Sequence, residues 1–556
     1  MNSSLPETLF TPFKQSIASY SLPERFTYPF CYEPHPLCLL AIKELQSYLE
    51  TQTDWQHDFN KIGKMFGVLL VQNINGEVGY VSAFSGKIAD SNHHSHFVPP
   101  VFDMLAEDGF FRQGQEELSQ LSEQIKILES NPELLQRKHI LQLEQENSDT
   151  KIAEHRAVMI AGRKSRKQQR LLAEQSLDVT EFEQLKDQLG KESIKQKNQL
   201  RELTFYWNGR IEQAQQNLNV LTDKIDVLKN KRKLHSASLQ TRLFEHYQFL
   251  NKNGVEKSLY ELFKNTAQQM PPAGAGECAT PKLLHYAFQH KLKPLAMAEF
   301  WWGNSPKSQI RQHKNIYAAC LGKCQPILEH MLEGIKLDAN PLLTNPAKNK
   351  VIDIIYQDKD MVVINKPAEF LSVPGKNIED SVYLRMKQQF PYAKGPLIVH
   401  RLDMSTSGLM VIALSKQAHK KLQTQFINRT VEKRYIALLE GILTEKEGEI
   451  DLPLRVDLDD RPRQLVCYEY GRPALTKWQK IAQTNNRTRV YFYPKTGRTH
   501  QLRVHSAHIN GLNMPIVGDD LYGNKANRLH LHAESLSLKH PATGELMHFQ
   551  VKANFQ

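Results

Sequence analysis

Between about Phe111 and Tyr247 the chain is dominated by Gln, Glu, Lys, Leu and Arg, with a single proline, Pro132, and few glycines. That composition limits the region to long helices, because nothing in it breaks a helix and little in it builds a globular core. Ile211, Ala214, Leu218, Leu221, Ile225 and Leu228 alternate three- and four-residue steps, the spacing of a heptad seam. A thinner apolar stripe, Leu134, Leu135, Leu141, Leu143, Ile152 and Val158, precedes it, and Asn131-Pro132 supplies a helix start. The basic run RKSRKQQR (Arg163 to Arg170) is followed by a second start at Asp178-Val179-Thr180-Glu181. The expected shape is an antiparallel coiled-coil hairpin over residues 111–247 with its tip near 162–190, whose arms of roughly 50–60 residues reach about 75–90 Å at ~1.5 Å per residue.

The flanks have a different texture. Phe66–Val71 and Gly79–Phe84 read as strands joined by the turn signal Asn75-Gly76. Residues 271–335 are punctuated by Gly and Pro and hold two adjacent tryptophans, Trp301 and Trp302. Neither flank has enough apolar surface for its own core, so residues 1–110 and 248–345 are expected to form one α+β domain into which the hairpin is inserted. A boundary is expected near the proline-rich NPLLTNPAKNK. Beyond it, over residues 346–556, strand-like runs (Val351–Tyr356, Met361–Asn365, Leu409–Leu414, Tyr435–Leu439, Arg489–Tyr493) alternate with helical stretches (Ser381–Phe390, Gln417–Asn428, His500–Ile509). This is the pattern of an α/β (α+β) domain with a mixed β-sheet flanked by helices. With 556 residues, several domains are the natural expectation.

Charge is concentrated in that last part. Residues 341–556 hold 31 Lys and Arg against 21 Asp and Glu, whereas residues 1–340 hold 40 against 39. A basic excess confined to one region points to a polyanion such as a nucleic acid. No apolar run approaches ~18 residues, and the opening MNSSLPETLFTPFKQ lacks the basic-then-apolar pattern of a secretory signal, so no membrane span is expected and the cytoplasm is the expected compartment. The six cysteines are too sparse for a disulfide framework and are expected to be free, buried thiols. Cys320-x-x-x-Cys324 offers a zinc reading with Cys278 or with Cys31 and Cys38, but the paired short spacing of zinc ribbons is missing, and no metal is expected.

Two polar islands carry the chemistry. In Ile398-Val-His-Arg-Leu-Asp-Met-Ser-Thr-Ser-Gly-Leu-Met-Val-Ile an acid, an arginine, three hydroxyl residues and a glycine lie between two apolar runs. Asp403 there suits a nucleophile or base and Arg401 an anion contact, while a plain turn with Asx hydrogen bonds explains the same residues. In Thr496-Gly-Arg-Thr-His-Gln-Leu-Arg-Val-His-Ser-Ala-His the Gly-Lys-Ser/Thr ending of a phosphate loop is absent. His500, His505 and His508 lack the His-Glu-x-x-His pattern and stand beside two arginines, which is unsuited to a cation.

Taken together, HRLDMSTSGL, VEKRYIALLEG, GRTHQLRVH, PIVGDDLYG and RLHLHAESLSLKHP resemble, in order, the motifs of RluA-type pseudouridine synthases over about residues 350–556. With IDLPLRVDLDDRPRQ and GRPALTKWQ included, the chain is most similar to the branch acting on large-subunit rRNA and on tRNA anticodon stem-loops. The resemblance implies isomerisation of uridine in RNA, with the base flipped out of its stack. It implies Asp403 as the catalytic aspartate, attacking either the ribose or the pyrimidine, Tyr435 stacking on the uracil, and Arg498 pairing with Asp403. It implies Arg401, His400, Arg503, Lys433 and Leu531 at the substrate, with Arg401 reaching into the vacated position in the RNA. No cofactor is implied, since an isomerisation changes no redox state. The run Asn365–Pro374 resembles the family's first motif, but Glu369 stands where glycine is usual, and a positive φ there would cost ~1 kcal/mol. No S4 RNA-binding pattern is seen in residues 1–340. The basic hairpin tip (Arg163, Lys164, Arg166, Lys167, Arg170) suits rRNA or a ribosomal particle, while a solvated helix face or a dimerising coil explains the same residues. The alternative function is a non-catalytic RNA- or ribosome-binding protein that uses the same fold as a scaffold.

Overall fold

The structure is a computed structural model that describes residues 9–394, 397–458 and 460–555; the opening eight residues and Asp459 of the IDLPLRVDLDDRPRQ run lie outside the described part. One compact unit holds the chain up to Asp103 and from Phe244 onward, and Met104–Leu243 forms a second.

The first unit opens with β1 (Thr11–Pro12), α1 (Pro36–Thr51), β2 (Lys64–Gln72) and β3 (Val78–Phe84). The β2–β3 turn needs a left-handed residue, and Gly76 supplies it with φ +83°. The helices of the second unit follow: α2 (Phe110–Glu129), α3 (Pro132–Ser176) and α4 (Val179–His246). Then come β4 (Gln248–Leu250), β5 (Glu256–Ser258), α5 (Leu259–Phe263), α6 (Ala279–Gln289), β6 (Lys293–Trp302), β7 (Ile316–Tyr317) and α7 (Leu321–Met331). Strand β6 pairs antiparallel with β2 from Lys64↔Trp302 to Gln72↔Lys293, so the two flanks of the helical region share one sheet, of order β1-β3-β2-β6-β7. Phe66, Val68 and Leu70 of β2 face α1 and cluster with Leu37, Leu45 and Phe300. The opposite face meets α6, so closely at Gly67 that an added Cβ would stand 3.0 Å from that of Ala279. Burial on both faces is why β2 reads as a continuous apolar run.

In the second unit, Asn131 accepts from the Glu133 amide at 2.9 Å and Pro132 takes the first helical position, so α3 starts where the local signals place it. Helix α4 starts at Asp178, whose Oδ1 accepts from the Thr180 and Glu181 amides at 2.8 and 3.0 Å. Leu218 and Ile225 of α4 pack against Ile125 and Leu134, with Leu141, Leu221 and Leu228 around them. Arg210–Glu144 (2.6 Å) and Lys229–Glu129 (2.7 Å) bridge the helices. The stripe expected on the first arm is only half right. Leu135, Leu143 and Val158 are 60%, 41% and 57% exposed, because successive residues turn by about 100° around a helix and these three fall off the face that carries Leu134 and Leu141. No helix among the described residues is long and apolar enough to cross a membrane.

From residue 346 the elements are β8 (Asp353–Gln357), β9 (Met361–Lys366), α8 (Val382–Gln389), β10 (Ser407–Ala413), α9 (Lys416–Ile427), β11 (Glu432–Glu440), β12 (Glu447–Asp451), β13 (Leu454–Val456), β14 (Gln464–Val466), β15 (Leu475–Thr484), β16 (Arg487–Pro494), α10 (Gln501–Ala507), β17 (Leu531–Lys539) and β18 (Leu546–Gln550). They build a mixed sheet of order β12-β15-β16-β11-β17-β10-β9-β8, with β18 beside β17 and a parallel pairing between β10 and β17. Alternation assigns its faces. Val362, Ile364, Met410 and Ile412 join Val382 and Met386 of α8, while Met361, Val363, Leu409 and Val411 join Ala418 and Leu422 of α9. Gly408 (φ +118°) is required where β10 meets β17, since a Cβ there would lie 2.3 Å from the Ala533 carbonyl oxygen. Glu369 does adopt a positive φ, +52°, so it carries the strain its place in the motif implies.

The loop after Trp302 inserts into this second sheet's core. Ile310 is buried with Leu452, Trp478 and Leu502, His508 Nε2 meets the Lys307 carbonyl at 3.0 Å, and Arg311 pairs with Asp460 at 2.8 Å.

Candidate active site

Asp403 lies on the loop entering β10, and that loop is clamped from behind. The Ser372 hydroxyl accepts from the Leu402 amide (3.1 Å) and donates to the Leu402 carbonyl (2.7 Å). Lys366, fully buried, sends its Nζ to the carbonyls of Met404 (3.0 Å), Phe370 (2.7 Å) and Pro367 (3.0 Å). Burial pushes the Lys366 ammonium down to about 7 and the Asp403 carboxylate opposes that. Three carbonyl acceptors match the three N–H groups that only the charged form has, and we favour that form. Sequence reading missed Lys366; its signal is the Asn-Lys-Pro run that ends β9.

A second wall comes from β11. Its pairing with β17 slips between Arg434 and Tyr435, a bulge that re-aims the strand at the half-buried Tyr435. Burial, then the carboxylate of Asp403, raise the Tyr435 phenol above its ordinary range, which keeps it neutral. Lys433, two residues earlier, is lowered by burial and by Lys495 and Arg429.

The third wall is the loop before α10. Gln501 ties it down: its Oε1 accepts from the Thr496 hydroxyl (2.8 Å) and the Arg498 amide (3.0 Å), and its Nε2 donates to the Leu475 carbonyl (3.0 Å). His500 sits at φ +54° and its Nδ1 meets Tyr522 Oη at 2.9 Å. Because that oxygen already accepts from the Gln464 amide, it donates to a neutral His500, in keeping with the imidazole's depression by burial to about 4.

These walls enclose a cavity of about 880 Å³ lined by His400, Arg401, Asp403, Lys433, Tyr435, Arg498 and Leu531, among others. Asp403 is the one carboxylate among the lining residues, against five cationic side chains, Arg401, Arg429, Lys433, Lys495 and Arg498. The Thr406 hydroxyl, buried and without a hydrogen-bond partner among the described residues, also faces it. His400 stacks on Phe426 with ring centroids 4.5 Å apart, and its Nε2 accepts from the Val411 amide, so it presents a ring rather than a charge.

Two expectations need correction. Arg503 does not line the cavity: it is 3% exposed, and its guanidinium is committed to Asp519 (2.8 and 2.6 Å) and Asp520 (3.0 Å). Arg498 shares the cavity but donates Nε to the Pro473 carbonyl at 3.0 Å, and no ion pair to Asp403 forms among the described residues. The cations that act on Asp403 from within the fold are Lys366 and Arg503.

The site predicts a pH response. Burial lowers His500, His505 and His532 to about 4 and His400 to about 3, and the same holds for His285 of α6 at about 4. An unfolded histidine titrates near 6.5, so below that pH the unfolded state binds protons that the folded state refuses. Stability is therefore full above about pH 6.5 and falls toward pH 4, by up to ~1.4 kcal/mol per pH unit for each histidine. Urea unfolding at pH 7.5 and 5.0 should show a clearly lower midpoint at pH 5.0; equal midpoints would contradict these shifts.

Known proteins are similar in sequence to the region that carries this site. A family model described as RNA pseudouridylate synthase matches residues 360–508. The dual-specificity RNA pseudouridine synthase RluA of Haemophilus ducreyi is 47% identical over 222 residues, 38% of this chain and 97% of that protein. The Escherichia coli protein of the same name is 44% identical over 219 residues, 38% of this chain and 97% of its own length. Among solved structures, human RNA pseudouridylate synthase domain containing 1 matches with 28% identity and a TM-score of 0.32, covering 38% of this chain and 88% of that one. With nearly the whole length of such relatives matched at this identity, the chain belongs to the RluA-type RNA pseudouridine synthases, isomerases that act on RNA.

Proposed function

We propose that the chain converts specific uridines of large-subunit rRNA and tRNA to pseudouridine in the cytoplasm, with residues 346–556 as its catalytic domain. The observation that carries this reading is Asp403, the one carboxylate among the described lining residues, in a cavity that also holds five cationic side chains and Tyr435. The cations bind phosphates on either side of the target nucleotide. The flipped uracil stacks on Tyr435, and Arg401, exposed at the rim, enters the space it leaves. Asp403 attacks the ribose at C1′ or the pyrimidine ring. The N1–C1′ bond breaks, the base turns, C5 bonds to C1′, the bond to Asp403 breaks and frees its carboxylate, and the proton lost from C5 is balanced by the one gained at N1. Arg498 serves as a phosphate contact. Lys433, His400 and Leu531 shape the pocket floor for a flat base. The dual-specificity title of the relatives supports more than one RNA class.

We further propose that α3 and α4 form an antiparallel coiled coil whose tip holds rRNA or a ribosomal particle. Arg163, Lys164, Lys167 and Arg170 are exposed there, and the seam through Leu134, Leu218 and Ile225 supports the pairing. Pseudouridine mapping of rRNA and tRNA from cells lacking the gene, with and without the wild-type copy, tests the reading. One or more uridines should lose their modification and regain it on complementation. If no site in either RNA class responds, the scaffold alternative takes its place.

A further inference from the structure

Three of the six cysteines converge, and none of them lines the catalytic cavity. Cys278 and Cys320 occupy the N-cap positions of α6 and α7, neither making the side-chain cap hydrogen bond usual there, and Cys324 lies one turn into α7. Their sulfurs all lie within 4.8 Å of one another, with Cys320 and Cys324 3.5 Å apart, and all three are free thiols. A tetrahedral Zn²⁺ with Zn–S bonds of about 2.3 Å needs sulfurs about 3.8 Å apart, within reach of this spacing after a small rotamer adjustment.

We propose that Cys278, Cys320 and Cys324 bind one Zn²⁺ as thiolates, tying α7 to the sheet-packed α6. Cys278 and Cys320, as N-cap residues, sit at the positive dipole ends of α6 and α7, which favours thiolate over thiol. Glu299 of β6, 4% exposed, is electrostatically coupled to Cys278 and Cys320 but commits its Oε1 to the Thr280 hydroxyl and amide at 2.6 and 3.0 Å, so the fourth position falls to an exogenous ligand such as water. The soft sulfur set selects Zn²⁺ over Mg²⁺ or Ca²⁺. The other cluster of candidate ligands, Asp358, Asp360 and His540, is a turn already closed by the His540–Asp358 bond of 2.7 Å.

Full-length protein, reduced, exposed to Zn²⁺ and desalted, should retain about one zinc per chain by elemental analysis, as three thiolates in one site require. Titration with Co²⁺ alone should produce a thiolate-to-cobalt charge-transfer band that saturates at one equivalent and is bleached by Zn²⁺. Cys320→Ser and Cys324→Ser should lose both signals, while Cys467→Ser, outside the cluster, should keep them. Substoichiometric zinc with no charge-transfer band in the wild-type protein, or equal loss in Cys467→Ser, overturns the proposal. Since the wild-type titration decides by itself, a variant that fails to fold does not blunt the test.

Discussion

Asp403→Asn is expected to lower pseudouridine formation by at least about 10³-fold, the scale seen when a catalytic nucleophile is removed, while leaving the protein folded and able to bind RNA. The change is isosteric and takes away one negative charge. The loop around it is held by backbone atoms, through Ser372 at Leu402 and Lys366 at Met404, so the turn has no need of the carboxylate. Removing the charge from among five cations should if anything tighten RNA binding. The measurement is pseudouridine formed per enzyme on total rRNA and tRNA, beside an RNA-binding isotherm and a thermal melt. Loss of product with retained binding and melting temperature assigns Asp403 to chemistry. Retained product would remove Asp403 from the mechanism, and parallel loss of binding and stability would make it a structural acid.

What the sequence disclosed follows from how local each signal is. The motif around Asp403 was legible because its parts are contiguous, and so were the starts of α3 and α4, where Asn131-Pro132 and Asp178 act within three residues. The sharing of one sheet by β2 and β6 could only be inferred from insufficient core, since their pairing spans the whole helical insertion. Ile310 illustrates the limit. It sits in the loop after β6 yet completes the core of residues 346–556, a contact no periodicity announces. A piece beginning near residue 350 would lose that plug and expose Leu452 and Trp478. For Cys320 and Cys324 the sequence offered either Cys278 or Cys31 and Cys38 as companions, and the choice of Cys278 is made by the packing of α6 on α7. Arg498 and Arg503 share one short motif, and sequence alone had no means of knowing that the second turns inward to Asp519 while the first turns to Pro473.

Arg503→Met is the sharpest check on that distinction. Arg503 and Asp519 are 3% and 0% exposed and meet in a two-pronged ion pair, with Asp519 also accepting from the Leu521 and Tyr522 amides at 3.0 Å each. Methionine fills the space but strands a buried carboxylate, and breaking such a pair from one side costs about 3–5 kcal/mol. For a domain of this size that lowers the melting temperature by roughly 6–20 °C, since each kcal/mol is worth about 2–4 °C. Arg503→Lys should fall between, keeping the charge but losing the second prong of the fork. The Asp519 carboxylate binds the two amides that shape the turn before Tyr522, and Tyr522 donates to His500 in the cavity wall, so residual activity in the folded fraction should drop as well, though less than in Asp403→Asn. A substrate-binding arginine at the surface would behave in the opposite way, with an unchanged melt and a raised KM. A melting temperature within about 2 °C of wild type, a shift worth no more than ~1 kcal/mol, would therefore return Arg503 to the RNA interface and undo the structural assignment made for it.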